Sequence, residues 1–141
     1  MSKLYQSESQ LQSDCVIRFS QDRPDLRGHL IGYFATAESK SKGAMKNSLG
    51  LVRGVSDLLY VSDGKLIGIE LKLPDSSHNR LHLIEQAQWL IKVPDKGYFC
   101  DNLDMFWDII NGGSGIDPRV ILENCMKLKT ETTRWNEKLL Y

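Results

Sequence analysis

Apolar positions along the chain change their period several times, and each change marks an element. Over residues 4–19 they fall at Leu4, Leu11, Cys15, Ile17 and Phe19 among many polar residues, which predicts a polar-rich helix. Pro24 and Gly28 punctuate the next stretch. Residues 29–35 (HLIGYFA), short, apolar and aromatic, then read as a strand. Residues 39–49 are small and basic, and fit a helix that Gly50 closes. Residues 57–61 (DLLYV) and 66–72 (LIGIELK) are strand-like and flank Ser62-Asp63-Gly64-Lys65. Asp-Gly is a favoured two-residue hairpin turn, because both central positions need positive φ. Pro74 ends the second strand. Residues 81–92 place Leu83, Ile84, Ala87, Leu90 and Ile91 at helical spacing. Residues 97–100 (GYFC) read as a short buried strand, and residues 103–110 as a helix closed by Asn111-Gly112-Gly113. In the tail, Val120, Ile121, Leu122, Met126 and Leu128 predict a further helix. The aromatic end, with Trp135 and Tyr141, is assigned no element. The order of elements predicts a mixed α/β domain around a small sheet.

The turn also fixes a register. With Asp63-Gly64 as the loop, Ser62 faces Lys65, Leu59 faces Gly68, and Asp57 faces Glu70. Residues opposed in this way share a face, with Cβ atoms ~4.5–5.5 Å apart. Lys72, two beyond Glu70, shares the face too. The expectation is a cluster of Asp57, Glu70 and Lys72 at one end of the hairpin. Opposed like charges destabilise unless something compensates. Lys72 is one compensator. A divalent cation is a better one, since Mg²⁺ is commonly held by one or two carboxylates with waters and substrate phosphate. Such an ion lowers the pKa of water and polarises a phosphoryl oxygen, and a fixed ammonium stabilises developing charge. A plainer reading stays open. Glu-x-Lys triplets are common, strand-end acids are usually solvated, and the three residues could form a structural salt bridge. A one-residue error in the turn would also separate Asp57 from Glu70.

Four segments in order carry a resemblance: Gly54-Val55-Ser56-Asp57, Ile69-Glu70-Leu71-Lys72, Gln86-Ala87-Gln88-Trp89-Leu90 and Lys96-Gly97-Tyr98-Phe99. Together they resemble the virus-type replication-repair nuclease (VRR-NUC) domain of the PD-(D/E)xK superfamily, over roughly residues 8–110. The resemblance implies a restriction-endonuclease-like α/β core (helix, small mixed sheet with a central hairpin, helix, strand) over residues 1–110. Residues 111–141 form a C-terminal helical extension, packed on the core or used in dimerisation. It also implies a Mg²⁺- or Mn²⁺-dependent endonuclease. Asp57, Glu70, the Leu71 carbonyl and Glu8 are its metal ligands, Lys72 the catalytic lysine, and Gln86 a helix residue reaching back to the site. Ser56 stands where the family often has Pro, and Ala35-Thr36-Ala37-Glu38 lacks the Asn often found near the start of that loop. From the residues alone, Gln86 is either a polar group on the Leu83–Leu90 stripe that needs a partner or a solvent-facing residue at its edge. Trp89 reads as core or as a shielding aromatic. His78 and His82, four apart, could be metal ligands on one helix face, but with no third ligand they read as solvent-exposed or phosphate-contacting.

Composition adjusts this picture. The chain has 141 residues, with 18 Lys+Arg against 18 Asp+Glu. Balanced charge excludes a histone-like polycation and implies modest attraction to phosphate. Locally, Lys40, Lys42, Lys46 and Arg53 precede Asp57 with one acid-free stretch between residues 39 and 54. With Arg80, they are the candidate DNA-contacting residues. No apolar run approaches the ~18 residues of a membrane span. Cys15, Cys100 and Cys125 are odd in number and lack CxxC spacing, which suits a reducing cytosol. The expected partners are branched or duplex DNA and a second copy of the chain, because a four-way junction presents two symmetric strands. The alternative is a module of the same fold that binds DNA or acts as a scaffold without turnover.

Overall fold

The computed structural model describes residues 4–33 and 54–141. A four-stranded mixed sheet lies between two layers of helices. Its strands run in the order β1 (Leu30–Gly32), β2 (Leu58–Ser62), β3 (Lys65–Leu71), β5 (Lys96–Cys100). The first three are antiparallel neighbours, and β5 lies parallel to β3. A separate two-stranded sheet pairs β4 (Ser77–Asn79) with β6 (Thr132–Arg134).

The helices are α1 (Glu8–Asp22), α2 (Arg80–Lys92), α3 (Leu103–Ile110), α4 (Pro118–Lys127) and the single turn α5 (Glu137–Leu140). Each begins on a side-chain cap: Ser7, Asn79, Asn102, Asp117 and Asn136 accept from amides of the first turn. Such caps satisfy N–H groups that the helix itself leaves unpaired. The Ser7 cap explains why α1 starts at Glu8 and not at Leu4. Among the described residues, no helix is long and apolar enough to cross a membrane.

Side-chain alternation divides the core in two. Leu58 and Tyr60 of β2 with Ile69 and Leu71 of β3 meet Leu11, Cys15 and Phe19 of α1 and Phe106, Ile109 and Ile110 of α3. On the opposite face, Phe99 of β5 meets Leu83, Ile84, Ala87 and Leu90 of α2, Ile121 and Cys125 of α4, and Trp135 and Leu139. The C-terminal extension expected to be helical is helical only in part. Between α4 and α5 runs β6, whose edge pairs with β4, and Trp135 just beyond it is buried in the core. All three cysteines are buried and free, and burial pushes the Cys100 thiol up to about 12.

Gly97 allows the close contact between β5 and α2. A Cβ there would stand 2.3 Å from the Leu90 carbonyl oxygen and 2.8 Å from its Cα. The obstacle is helix backbone, which no rotamer change can move. Gly97→Ala is therefore expected to cost about 3 kcal/mol, measured as a lowered urea midpoint with an unchanged slope.

Candidate functional site

The hairpin carries the register read from its turn. Asp63 and Gly64 have φ of 54° and 74°, as a turn with two left-handed central residues requires. Leu58 pairs with Ile69, Leu59 with Gly68, and Ser62 with Lys65. Asp57, one residue before β2, is thereby brought opposite Glu70. The approach to Asp57 is shaped locally. Gly54 holds φ of 87° beside α2, and the Ser56 hydroxyl donates to the Leu58 carbonyl at 2.9 Å.

The two acids are cross-linked through each other's strands. The Asp57 amide donates to Glu70 Oε2 at 3.2 Å. The Leu71 amide donates to Asp57 Oδ2 at 2.9 Å. From α2, Gln86 Nε2 donates to Glu70 Oε1. On the same sheet face, Gly68 lets α2 pack close to β3: a Cβ there would meet the Trp89 ring at 2.9 Å. The structure thus resolves the two readings of Gln86: it is buried and partnered by Glu70. Its own Oε1 is buried with no hydrogen-bond partner.

Glu70 is 2% exposed and Lys72 3%. Burial pushes the Glu70 carboxyl well above the usual range. A hydrogen bond with the Asp57 side chain and its charge add to the rise, and Lys72 opposes it. Lys72 makes no salt bridge among the described residues, although its backbone amide is fixed on the Cys100 carbonyl at 2.9 Å. Glu8, the first residue of α1, belongs to the same electrostatic neighbourhood. Burial raises its carboxyl, Lys72 lowers it, and Asp57 raises it. Among the described residues, no three His, Cys, Asp or Glu side chains are gathered closely enough to enclose a metal ion by themselves. The arrangement is open, with two linked acids, an ammonium and a third acid at a helix start.

His78 differs from expectation. Its side chain is only 12% exposed and its Nε2 lies 3.6 Å from Glu8 Oε1, because β4 pairs with β6 and so carries the residue inward. Burial, then Lys72 and His82, push its pKa down to about 4. Pro74, Asp75 and Ser76 suggest a loop here, and nothing in β4, three polar residues long, signals the burial of His78. Arg80 is also engaged elsewhere. Its guanidinium donates to the Thr130 carbonyl at 2.8 Å and to the Cys125 carbonyl at 3.4 Å, near the C-terminal end of α4. Lys40, Lys42, Lys46 and Arg53 lie outside the described residues. A cleft of about 800 Å³ opens at the turn end of the hairpin between Tyr60, Lys65, Tyr98 and Ile110, and Asp57, Glu70 and Glu8 do not line it.

The two shifted groups act oppositely on folding. Folded Glu70 binds its proton more tightly than an ordinary glutamate, whose carboxyl titrates near pH 4.5. Its contribution is full below that pH and is lost as pH rises through the folded-state value. Neutral His78 contributes above pH 6.5, and that contribution is lost as pH falls through about 4. Compared with protein-family models, curated proteins and solved structures, the chain matches none.

Proposed function

We propose that this chain is a Mg²⁺- or Mn²⁺-dependent nuclease of the virus-type replication-repair class, hydrolysing phosphodiester bonds in DNA. The observation that carries the reading is the buried knot of Asp57, Glu70 and Gln86 beside Lys72. Three features of that knot suit a divalent cation. Burial and the Asp57 charge disfavour the ionised form of Glu70, so a nearby cation relieves a cost that folding has imposed. Gln86 Oε1 lacks the donor that an ion's hydration shell supplies. The acids are two, with oxygen donors only, as Mg²⁺ prefers. Asp57, Glu70, the Leu71 carbonyl and Glu8 would hold the ion. When bound, it supplies Lewis-acid polarisation of the phosphate and activation of water.

The chain's own residues do the rest. Gln86 fixes the orientation of Glu70, and the Leu71 amide fixes that of Asp57, so neither acid needs to reorganise. Lys72 holds a positive charge on the same sheet face, where it stabilises negative charge developing on phosphoryl oxygen. The order α1, β1, hairpin, α2, β5 supports the reading, because it is the order the motifs imply. Preference for branched DNA and homodimerisation follow from the resemblance alone.

The test is incubation with branched, duplex and single-stranded DNA in Mg²⁺, Mn²⁺ or EDTA. Cutting that needs metal is expected; DNA retention without cutting would favour the inactive binding module. A second expectation follows from Glu70. Metal binding must displace its proton, so Mn²⁺ affinity should rise by up to about tenfold per pH unit below the folded-state pKa. Titration calorimetry between about pH 5 and 8 reads this directly, and a flat profile would remove Glu70 from the ligand set.

A further inference from the structure

β1 is an outer strand of the four-stranded sheet, and the direction of its backbone groups can be followed residue by residue. The Val61 amide donates to the His29 carbonyl at 2.8 Å, and the Tyr33 amide donates to the Asp57 carbonyl at 2.9 Å. Ile31 stands opposite Leu59 between them. In an antiparallel ladder, every second residue bonds to the same neighbour. His29, Ile31 and Tyr33 therefore turn their backbone toward β2, and Leu30 and Gly32 turn theirs outward. Among the described residues, nothing bonds Leu30 or Gly32 on that outer side. Their amides and carbonyls are the open half of a ladder, which an added strand completes. So short an edge pairs weakly by itself, so an occupant needs side-chain contacts beside it.

Those contacts are present. A groove of about 500 Å³ lies between α1 and the chain entering β1, with Leu30 as one wall. A residue of an added strand that faces Leu30 shares its sheet face and so stands at this groove. The apolar lining includes Val16 and Phe19. The charged lining is Arg23 and Arg27, with no acid. Arg23 holds Asp25 through Nε and Nη2. Arg27 makes no ion pair among the described residues. On the other sheet face, Ile31 is 44% exposed, where the next side chain of an added strand falls.

We propose that the β1 edge docks an extended acidic segment of another protein, which adds as a strand beside β1, sets an apolar side chain in the groove at Leu30, and brings a carboxylate to Arg27. The chemistry selects this occupant over two others. A nucleic-acid backbone offers phosphate acceptors, which leave the Leu30 and Gly32 carbonyls unpaired and the apolar groove unfilled. A second copy pairing β1 with β1 about a two-fold axis brings Arg27 and His29 of each chain to the same edge, where like charges oppose. Asp57, Glu70 and Lys72 do not line the groove, so the inference stands apart from the nuclease reading.

The experiment presents the whole chain to a displayed library of random heptapeptides, then measures synthetic copies of the selected sequences by fluorescence anisotropy. Selected sequences should alternate apolar residues with others, carry Asp or Glu at one end, and lack Pro between them. Gly32→Pro removes an outward amide hydrogen and leaves the ladder to β2 intact; it should weaken a selected peptide about tenfold. Arg27→Glu, at an exposed side chain, should weaken it as much and decides the matter if the proline variant does not fold. In amide hydrogen exchange, saturating peptide should slow Leu30 and Gly32 about tenfold or more and change Ile31, already bonded to β2, far less. A library that yields no binder, or binders indifferent to both variants, overturns the inference. So does slowing of the Leu30 and Gly32 amides by duplex DNA, or by raising the concentration of the chain alone, without a selected peptide that does the same. DNA cleavage is read in no arm, so each of these outcomes leaves the nuclease reading where it stood.

Discussion

Asp57→Asn and Lys72→Met are each expected to reduce metal-dependent DNA cleavage by about 10³-fold or more, and neither should unfold the chain. Asparagine can still accept from the Leu71 amide, the bond that ties Asp57 to the neighbouring strand. It also removes a negative charge that raises Glu70. Methionine fills a lysine-sized site without a charge, and Lys72 is 3% exposed. Replacing buried ionic groups by apolar ones of similar volume is often neutral or stabilising. Activity should therefore fall while the thermal midpoint stays level or rises. That divergence separates the nuclease reading from the plainer one, in which Asp57, Glu70 and Lys72 are a structural ion cluster. Breaking a structural cluster by removing one partner costs about 3–5 kcal/mol. Cleavage assays and thermal unfolding on the same preparations decide: a large drop in midpoint without any wild-type cleavage would establish the structural role instead.

Trp135→Ala is expected to cost about 3–5 kcal/mol, a large part of the ~5–15 kcal/mol that holds a typical domain together. The side chain is 1% exposed and its ring centroid lies 5.0 Å from that of Phe99. Truncation leaves a cavity between β5 and the tail and removes the indole donor from Asp101. Trp135→Phe keeps much of the volume while losing the donor, so it should cost about 1–2 kcal/mol. Urea unfolding measures both. A loss below about 1 kcal/mol for the alanine variant would mean that the tail is not part of the cooperative core.

The contrast between the hairpin and the tail shows what kind of information local sequence holds. Asp63-Gly64 is a turn whose chemistry is contained in two residues, so the pairing of Leu58 with Ile69 could be counted outward from it. The α3 span, residues 103–110, was equally legible, because Asn102 caps it and Asn111-Gly112-Gly113 closes it. β4 and β6 were not. Ser77–Asn79 and Thr132–Arg134 are short polar runs with no period of their own, and each is a strand only because the other, more than fifty residues away, supplies its hydrogen bonds. His78 was hidden for the same reason: its burial depends on a pairing that neither segment announces. Arg80 illustrates the converse. A basic residue at a helix start suggests phosphate contact, yet the carbonyls near the end of α4 engage its guanidinium. Gln86 lay between these cases. Its helical stripe was readable, but the choice between solvent and Glu70 depends on how α2 docks against β3, which the stripe alone does not contain.

The type of turn at Asp63-Gly64 has a consequence for how this sequence can diverge. Glu70 lies six residues from Gly64, roughly 20 Å along an extended strand, so the spacing of the two acids is set by residue number at a distant loop. Substitutions in that loop that accept positive φ leave the count unchanged. A single inserted or deleted residue does not: it slips the pairing and sends Glu70 and Lys72 to the opposite sheet face. Descendants of this chain should therefore vary the letters of the hairpin turn freely among turn-forming residues and keep its length fixed. Elsewhere, in exposed stretches such as Gly112–Ser114, length changes carry no such penalty for the acids.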